Sequence, residues 1–457
     1  MKTRSIYLTG LLMIIFTVLQ GQEMQETQLD MYIRAGLENN LALKQKESDW
    51  KEASLMLKEA KGLFYPDLSL NARYSVADGG RTIDFPVGDL LNPVYSTLNV
   101  LTSSNNFPSI ENEEFPFLRP TEHETKLRLV QPLLNTDIFY NRKIQENNLE
   151  IEYGDLKSYK RSLVFEIKQA YYNYIKAIEL LHLIENTMPV LEENLRVNQR
   201  LYDNDKVTRD VVLRSESEIR KMQENLEAAR GSVEVSEAYF NFLLNRELNE
   251  TIVPEISEIP AMPMDVEPYL ERAVNSREEI IQLEEFSELA ENNLKLNKAS
   301  RAPELFAVVD YGFQGEKYRF TSDDDFVIAS LVFKWDLFKG LQERSKVSKA
   351  AIASEKVNYK LQETEKLIRL DVLKTWYDLI ASWKKLQASE SNSEASSEAF
   401  RIIAKKYGQS QASLLEFMDA RNNMTRSEQD VIINTYDLLI KYASFEKAAA
   451  LYEFENE

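Results

Sequence analysis

The sequence predicts a mainly α chain in which long antiparallel coiled-coil helices alternate with four short β-strands, and three observations carry that expectation. First, 457 residues include only 13 Gly and 13 Pro, too few turn formers for the several ordinary domains this length would hold. Second, every proline lies at or before Pro303, and between Pro132 and Pro254 only Pro189 intervenes, so two long stretches are free to be helix. Third, apolar residues in those stretches step alternately by three and four, the period of a coiled coil.

The N-terminus, MKTRSIYLTGLLMIIFTVLQGQ, sets Lys2 and Arg4 ahead of an apolar run from about Ile6 to Leu19, the pattern of a secretory signal peptide cleaved near Gly21. The run is shorter than the roughly 20 residues of a bilayer-spanning helix. The chain has no cysteine, which excludes a disulfide framework, a thiolate centre and an acylated lipoprotein N-terminus. Without Lys2 and Arg4 its net charge is −21, so nucleic acid is not an expected partner. The only histidines, His123 and His182, are far apart, and neither a metal centre, a cofactor site nor an enzyme is expected.

Residues 22–247 and 265–457 read as two copies of one pattern, joined by a proline-rich linker over 248–264. Aligning Pro66 with Pro303 pairs Leu57 with Leu294, Lys58 with Lys295, Lys61 with Lys298, Leu68 with Leu305 and Tyr74 with Tyr311. LRLVQPLLNT (127–136) then matches LVFKWDLFKG (331–340), and LYDNDKVTRDVVLRSE (201–216) matches KYGQSQASLLEFMDAR (406–421), in the same order. An internal duplication follows. Its first copy carries an insertion over 76–122, rich in Pro, Gly and Asn.

The long helices are expected over Thr136–Tyr202 and Gly340–Lys406, each about 100 Å at 1.5 Å per residue. Their stripes are Val164, Ile167, Tyr171, Tyr174, Ile178, Leu181 and Val372, Trp376, Leu379, Trp383, Leu386. The first breaks at Glu185, shortly before Pro189, where a kink or restart is expected. Returning helices carry Ile219, Met222, Leu226, Ala229, Val233 and Val431, Thr435, Leu438, Tyr442, Phe445, Ala449, so each half folds back on itself.

Strands are expected at about 66–76, 124–134, 303–313 and 326–337, long enough for the about nine to eleven residues that a tilted strand needs to cross a bilayer. Alternation puts Leu68, Leu70, Ala72 and Tyr74, Leu127 and Leu129, Leu305, Val309 and Tyr311, and Leu331, Phe333 and Trp335 on one face. Phe64, Tyr65, Trp335 and Phe338 gather where strands meet helices, as aromatics do at a membrane interface. A sheet packed on helices in water would show the same alternation. In lipid, four strands cannot leave an open edge, so closure requires other copies of the chain.

The duplicated Pro-acid-Leu strand entry, the exits QPLLNT and WDLFKG, and the turns before DVVLRSE and LEFMDAR, taken in order, resemble the TolC family of outer-membrane efflux and secretion channels over nearly the whole mature chain. The resemblance implies a homotrimer whose three sets of four strands make one twelve-stranded β-barrel, continued by an α-helical periplasmic tunnel. It implies a passive exit duct of a tripartite efflux pump or a type I secretion system in a Gram-negative outer membrane. It also implies partnership with a periplasmic adaptor (membrane fusion) protein and an inner-membrane pump. Two departures stand out. Phe306, Val308, Ile328 and Val332 make the lumen face less polar than a water-filled pore suggests, and Glu457 follows soon after the last helix, leaving little for an equatorial belt. A secreted coiled-coil scaffold or adhesin is the alternative.

Functional residues in such a duct are gates and docking surfaces. Glu390, Glu394 and Glu398 share a helix face at i, i+4, i+8 spacing, and with Asp203 and Asp205 they are candidate acidic rings at the entrance. A solvated helix face and an exposed turn explain them equally well. The two turns, marked by Asn204, Val207 and Asp210 and by Gly408 and Leu415, are the candidate adaptor contacts. Asp323, Asp324 and Asp325 form a candidate cation site or an ordinary charged loop.

Overall fold

The computed structural model describes residues 27–255, 258–409, 411–452 and 454, so the signal peptide lies outside the described residues. Nine helices and six strands follow one another among them: α1 (Gln28–Asn39), α2 (Leu41–Gly62), β1 (Asp67–Val76), β2 (Thr82–Phe85), α3 (Val87–Thr102), β3 (Glu113–Pro116), β4 (Thr121–Leu134), α4 (Thr136–Asp203), α5 (Arg209–Leu243), α6 (Glu267–Ser276), α7 (Glu278–Ala299), β5 (Glu304–Gly315), β6 (Asp325–Lys334), α8 (Gln342–Gly408) and α9 (Leu414–Ala448). They form two compact units that cut across the sequence repeats. One comprises Leu55–Glu146 with Leu289–Ser354; the other holds the remainder.

The larger unit is helical and is built on the predicted seams. Val164, Ile167, Tyr171 and Tyr174 of α4 are buried among Leu29, Tyr32 and Ile33 of α1 and Phe240 of α5. Val372, Leu379 and Leu386 of α8 are buried with Leu438 and Phe445 of α9 and with Leu270 and Ala273 of α6. Thr27 and Asp30 close a capping box that starts α1, and Ser413 and Glu416 close another that starts α9. A buried ion pair, Arg161 to Glu278 at 2.7 and 2.9 Å, ties α4 to the first turn of α7, and the same guanidinium donates to the Tyr452 carbonyl.

The expected break near Pro189 does not occur as a helix end: α4 runs unbroken through it. The carbonyl that loses its amide partner belongs to Glu185, which is exposed, so water satisfies it at little cost. Nor does the seam stop at Glu185. It shifts by one residue and continues through Ile184, Thr187, Leu191, Asn194 and Asn198, all buried, becoming polar toward the turn.

The smaller unit is centred on one antiparallel sheet of order β1-β4-β5-β6. Leu70 faces Leu127 and Leu127 faces Tyr311, while Leu305 faces Phe333. β4 and β5, at 14 and 12 residues, exceed the predicted length. The added length lies at the end away from the helices, where Glu124 pairs with Gln314 and His123 with Gly315; at the helix end the β4–β5 register shifts between Pro132 and Leu134, where the strand passes a proline that cannot donate to the ladder. All four helix junctions lie at one end of this sheet, because β1 and β5 follow helices and β4 and β6 precede them. The 76–122 insertion leaves the other end and contains the hairpin β2-β3 and the helix α3.

Candidate functional site: a two-faced sheet and a double-hairpin tip

On the apolar face of the sheet, Leu68, Leu70, Tyr74, Leu127, Val309, Tyr311, Leu331 and Phe333 are all exposed, from 37% at Val309 to 70% at Leu70. Leu129 and Leu305 are half-buried. So large an unpartnered apolar surface is not left in water by a stable soluble domain. Phe64, Tyr65, Trp335 and Phe338 stand exposed at the helix-bearing end, with the Trp335 indole donating to the Arg301 carbonyl at 2.8 Å. At the opposite end the structure adds a second aromatic group that sequence reading missed. The turn after β5 folds back so that Tyr318 and Phe320 lie against the buried His123, 4.8 and 6.1 Å between centroids, and Phe320 meets Phe313 at 5.1 Å. The signal was present in GEKYRF, where Tyr and Phe flank an otherwise polar turn. From Tyr65 to Tyr74 the chain rises about 30 Å at roughly 3.3 Å per residue, or about 25 Å along the normal at the usual tilt of a barrel strand, the height of an outer-membrane apolar band. Among the described residues no helix is long and apolar enough to cross a membrane.

The second face carries Ser69, Asn71 and Arg73 of β1, Glu124, Lys126 and Arg128 of β4, and Asp310 of β5. Asp310 accepts two hydrogen bonds from Arg128, at 2.8 and 2.7 Å. Ile328, opposite Asp310, and Val332, nearer the helices, are exposed on this face, and Phe306 and Val308 are half-buried there. Asp323, Asp324 and Asp325 do not converge: Asp324 accepts from Thr321 within its turn, and no described group of three acidic or histidine side chains is placed to hold a metal ion.

The turn between α4 and α5 exposes Asp203, Asn204, Asp205 and Asp210, while Val207 is half-buried. Asp205 adopts the left-handed conformation at φ 53°, and the Asn204 side chain donates to the Arg200 carbonyl at 2.7 Å. Asp203 accepts from Gln199 at 2.9 Å, and Asp210 lies 3.7 Å from Arg214. In the second turn Gly408 is exposed, and Leu415 is 68% exposed. Glu390, Glu394 and Glu398 are exposed on α8. They are not equivalent: Glu398 is held below the usual carboxylate range by hydrogen bonds from Arg401, whereas Glu390 and Glu394 have no ion-pair partner among the described residues.

Links between the two hairpins were not legible in the sequence. The Tyr407 hydroxyl, at the end of α8, donates to Asn198 of α4 at 2.6 Å, and Asn198 in turn donates to Asn194 and to Ser215 of α5. Tyr407 stacks on Phe417 at 4.8 Å. Arg421 of α9, 2% exposed, reaches Glu218 of α5 at 3.3 Å, while its Nε and Nη1 have no hydrogen-bond partner among the described residues. Burial lowers its pKa against the pull of Glu218. A groove of about 560 Å³ separates the first turns of α5 and α9, lined by Asp210, Arg214 and Ser217 on one side and Leu415, Met418 and Asn422 on the other.

Residues 270–450, from α6 to the end of α9, match the family model described as outer membrane efflux protein. A search of curated protein sequences returns no match. Among solved structures, the chain is similar to the CmeC outer membrane channel of Campylobacter jejuni, with 14% identity over 92% of this chain and 85% of that one and a TM-score of 0.77. It is similar also to the outer membrane protein VceC of Vibrio cholerae, with 14% identity, 94% and 97% coverage and a TM-score of 0.75. The open state of the MtrE outer membrane channel of Neisseria gonorrhoeae gives 16% identity, 92% and 88% coverage and a TM-score of 0.71. At these identities the structural matches speak for the fold, and the family model speaks for the kind of protein. Together they fit the efflux reading and not the secreted scaffold or adhesin. Residues 270–450 thus carry the outer membrane efflux protein family's pattern, and over more than nine-tenths of its length the chain has the fold of solved outer membrane channels.

Proposed function

We propose that three copies of the chain close one twelve-stranded barrel through the outer membrane and continue it as a helical tunnel, the exit duct of a pump assembled with a periplasmic adaptor. The observation that carries this is the sheet itself. Its outer strands, β1 and β6, each have one unpaired edge, and its apolar face is bare from Leu68 to Phe333. The bare face suits lipid, but the open edges do not survive there, where every backbone group needs a partner. Joining β6 of one copy to β1 of the next satisfies both edges, and three copies, the number that the resemblance to the TolC family implies, give twelve strands. Leu68, Leu70, Tyr74, Leu127, Leu129, Leu305, Val309, Tyr311, Leu331 and Phe333 then meet lipid, with Phe64, Tyr65, Trp335 and Phe338 at the periplasmic interface.

At the tip, Glu390 and Glu394 from three copies form acidic rings that favour cations, with Asp203 and Asp205 as further members. Asn204, Val207, Asp210, Gly408 and Leu415 face the adaptor. Binding there shifts a closed-open equilibrium by its preference for the separated hairpins. Whether the inner-membrane partner is an efflux pump or a type I secretion transporter is decided by which adaptor docks. The test is the mass of mature protein extracted from outer membranes in detergent, by light scattering corrected for detergent. A particle of about 150 kDa is expected for three processed chains. A monomer in the soluble periplasmic fraction overturns the proposal.

A further inference from the structure

The polar face of the sheet bears an arrangement that a simple exit duct does not require. Five charged side chains from three adjacent strands join in one ladder. Arg73 of β1 lies 3.7 Å from Glu124 of β4, which accepts from Lys126 at 2.7 Å; Lys126 lies 3.5 Å from Asp310 of β5, which binds Arg128. Strand register sets the order, with Arg73 opposite Glu124, Arg128 opposite Asp310 and Lys126 opposite Gly312. A Cβ at Gly312 would stand 2.5 Å from that of Lys126, so glycine leaves the room in which the lysine stem lies.

The signs are layered. Asp310, Lys126 and Glu124 lie beneath, at 9%, 15% and 21% exposure, while the two outermost members are the cations Arg128 and Arg73, at 42% and 63%. A surface whose anions are covered by their own cations presents positive charge to water, here in a chain whose net charge is −19.

We propose that the ladder is a positively charged selectivity band inside the duct, favouring anionic over cationic solutes at the level of the outer membrane. The inference rests on the trimeric barrel proposed above, in which three copies repeat the band around one lumen. A purely structural role, locking strand register, is the competing account, and the two part on the sign of the charge effects.

The experiment is the reversal potential of the full mature protein in planar bilayers under a KCl gradient at low ionic strength, where the Debye length is longest. Arg73→Gln/Arg128→Gln is expected to lower the chloride-to-potassium permeability ratio by about twofold or more. Asp310→Asn is expected to raise it, because Lys126 and Arg128 lose their shared counter-charge. Shifts of opposite sign support the band. Unchanged ratios, or shifts of one sign in both variants, overturn it and leave a register lock. Should Asp310→Asn fail to assemble, Arg73→Gln alone carries the test, since its exposed side chain leaves the other four members paired: a lowered ratio supports the band and an unchanged one overturns it. A wild-type protein that forms neither trimers nor pores fails at the earlier step, refuting the channel proposal and the band with it, whereas normal pores of unaltered selectivity refute the band alone.

Discussion

Tyr171 sits at the centre of the larger core, fully buried, with its hydroxyl accepting from the Glu255 amide at 2.8 Å. Burial pushes its pKa up to about 12, the Glu255 hydrogen bond opposing the rise. A raised folded-state value means that the stabilisation is complete below the unfolded tyrosine value near 10 and is lost as pH climbs through about 12. Two units correspond to roughly 2 to 3 kcal/mol over that window. Tyr171→Phe is therefore expected to lose about 1 kcal/mol at neutral pH, where the Glu255 amide loses its acceptor, yet to show a shallower decline from pH 10 to 12. Thermal unfolding of the detergent-solubilised protein against pH checks this. The flattening will be partial, because Tyr436 is likewise raised to about 12 by burial. An unaltered alkaline slope would mean that Tyr171 is not the group being ionised. The sequence marked Tyr171 as a seam residue by its period alone, but the Glu255 contact, 84 positions away, lies beyond any local pattern.

At the scale of elements, the strands test the membrane assignment through alternation. Leu70 and Asn71 are neighbours in β1 whose side chains point to opposite faces. Leu70→Arg is expected to cost about 2 to 4 kcal/mol near the bilayer midplane and to reduce barrel insertion into lipid vesicles, whereas Asn71→Arg is expected to insert normally. The fraction of folded, heat-modifiable barrel on gels reads both. Equal tolerance of the two changes would place the sheet in water. Period two and the duplicated entries at Pro66 and Pro303 made the strands and their faces legible, because side-chain alternation is a property of each strand by itself. Pairing is not. The bulge at Pro132, the folding back of Tyr318 and Phe320 over His123, and the cross-strand ladder from Arg73 to Arg128 all depend on which residue lies opposite which. The seam of α4 was misread past Leu181 for a related reason: a strict heptad was extended to Glu185, while the helix passes to Ile184 and buries Asn194 and Asn198.

For the whole molecule, the proposed duct raises the question of what would hold its entrance shut, and here composition foretold the least. The acidic positions of α8 were visible as a run of glutamates, but the links that join the hairpins, Tyr407 to Asn198 and Arg421 to Glu218, unite residues some 200 positions apart. Each is modest: a hydrogen bond contributes about 0.5 to 1.5 kcal/mol, and three copies act together in the proposed trimer. Since about 1.4 kcal/mol changes a population tenfold, removing both links should move the closed-open balance measurably. Tyr407→Phe/Glu218→Gln leaves the buried Arg421 without an anion and is expected to raise single-channel conductance and to admit large antibiotics into cells. The reverse is available because the chain has no cysteine. Ser217→Cys and Asn422→Cys stand exposed on opposite walls of the tip groove, so a short bismaleimide joins α5 to α9. That cross-link is expected to lower conductance and abolish efflux, while either cysteine alone, treated identically, leaves both unchanged. Opening that proceeds normally in the cross-linked protein would show that the hairpins travel as one body, and the gate would then have to lie between copies of the chain.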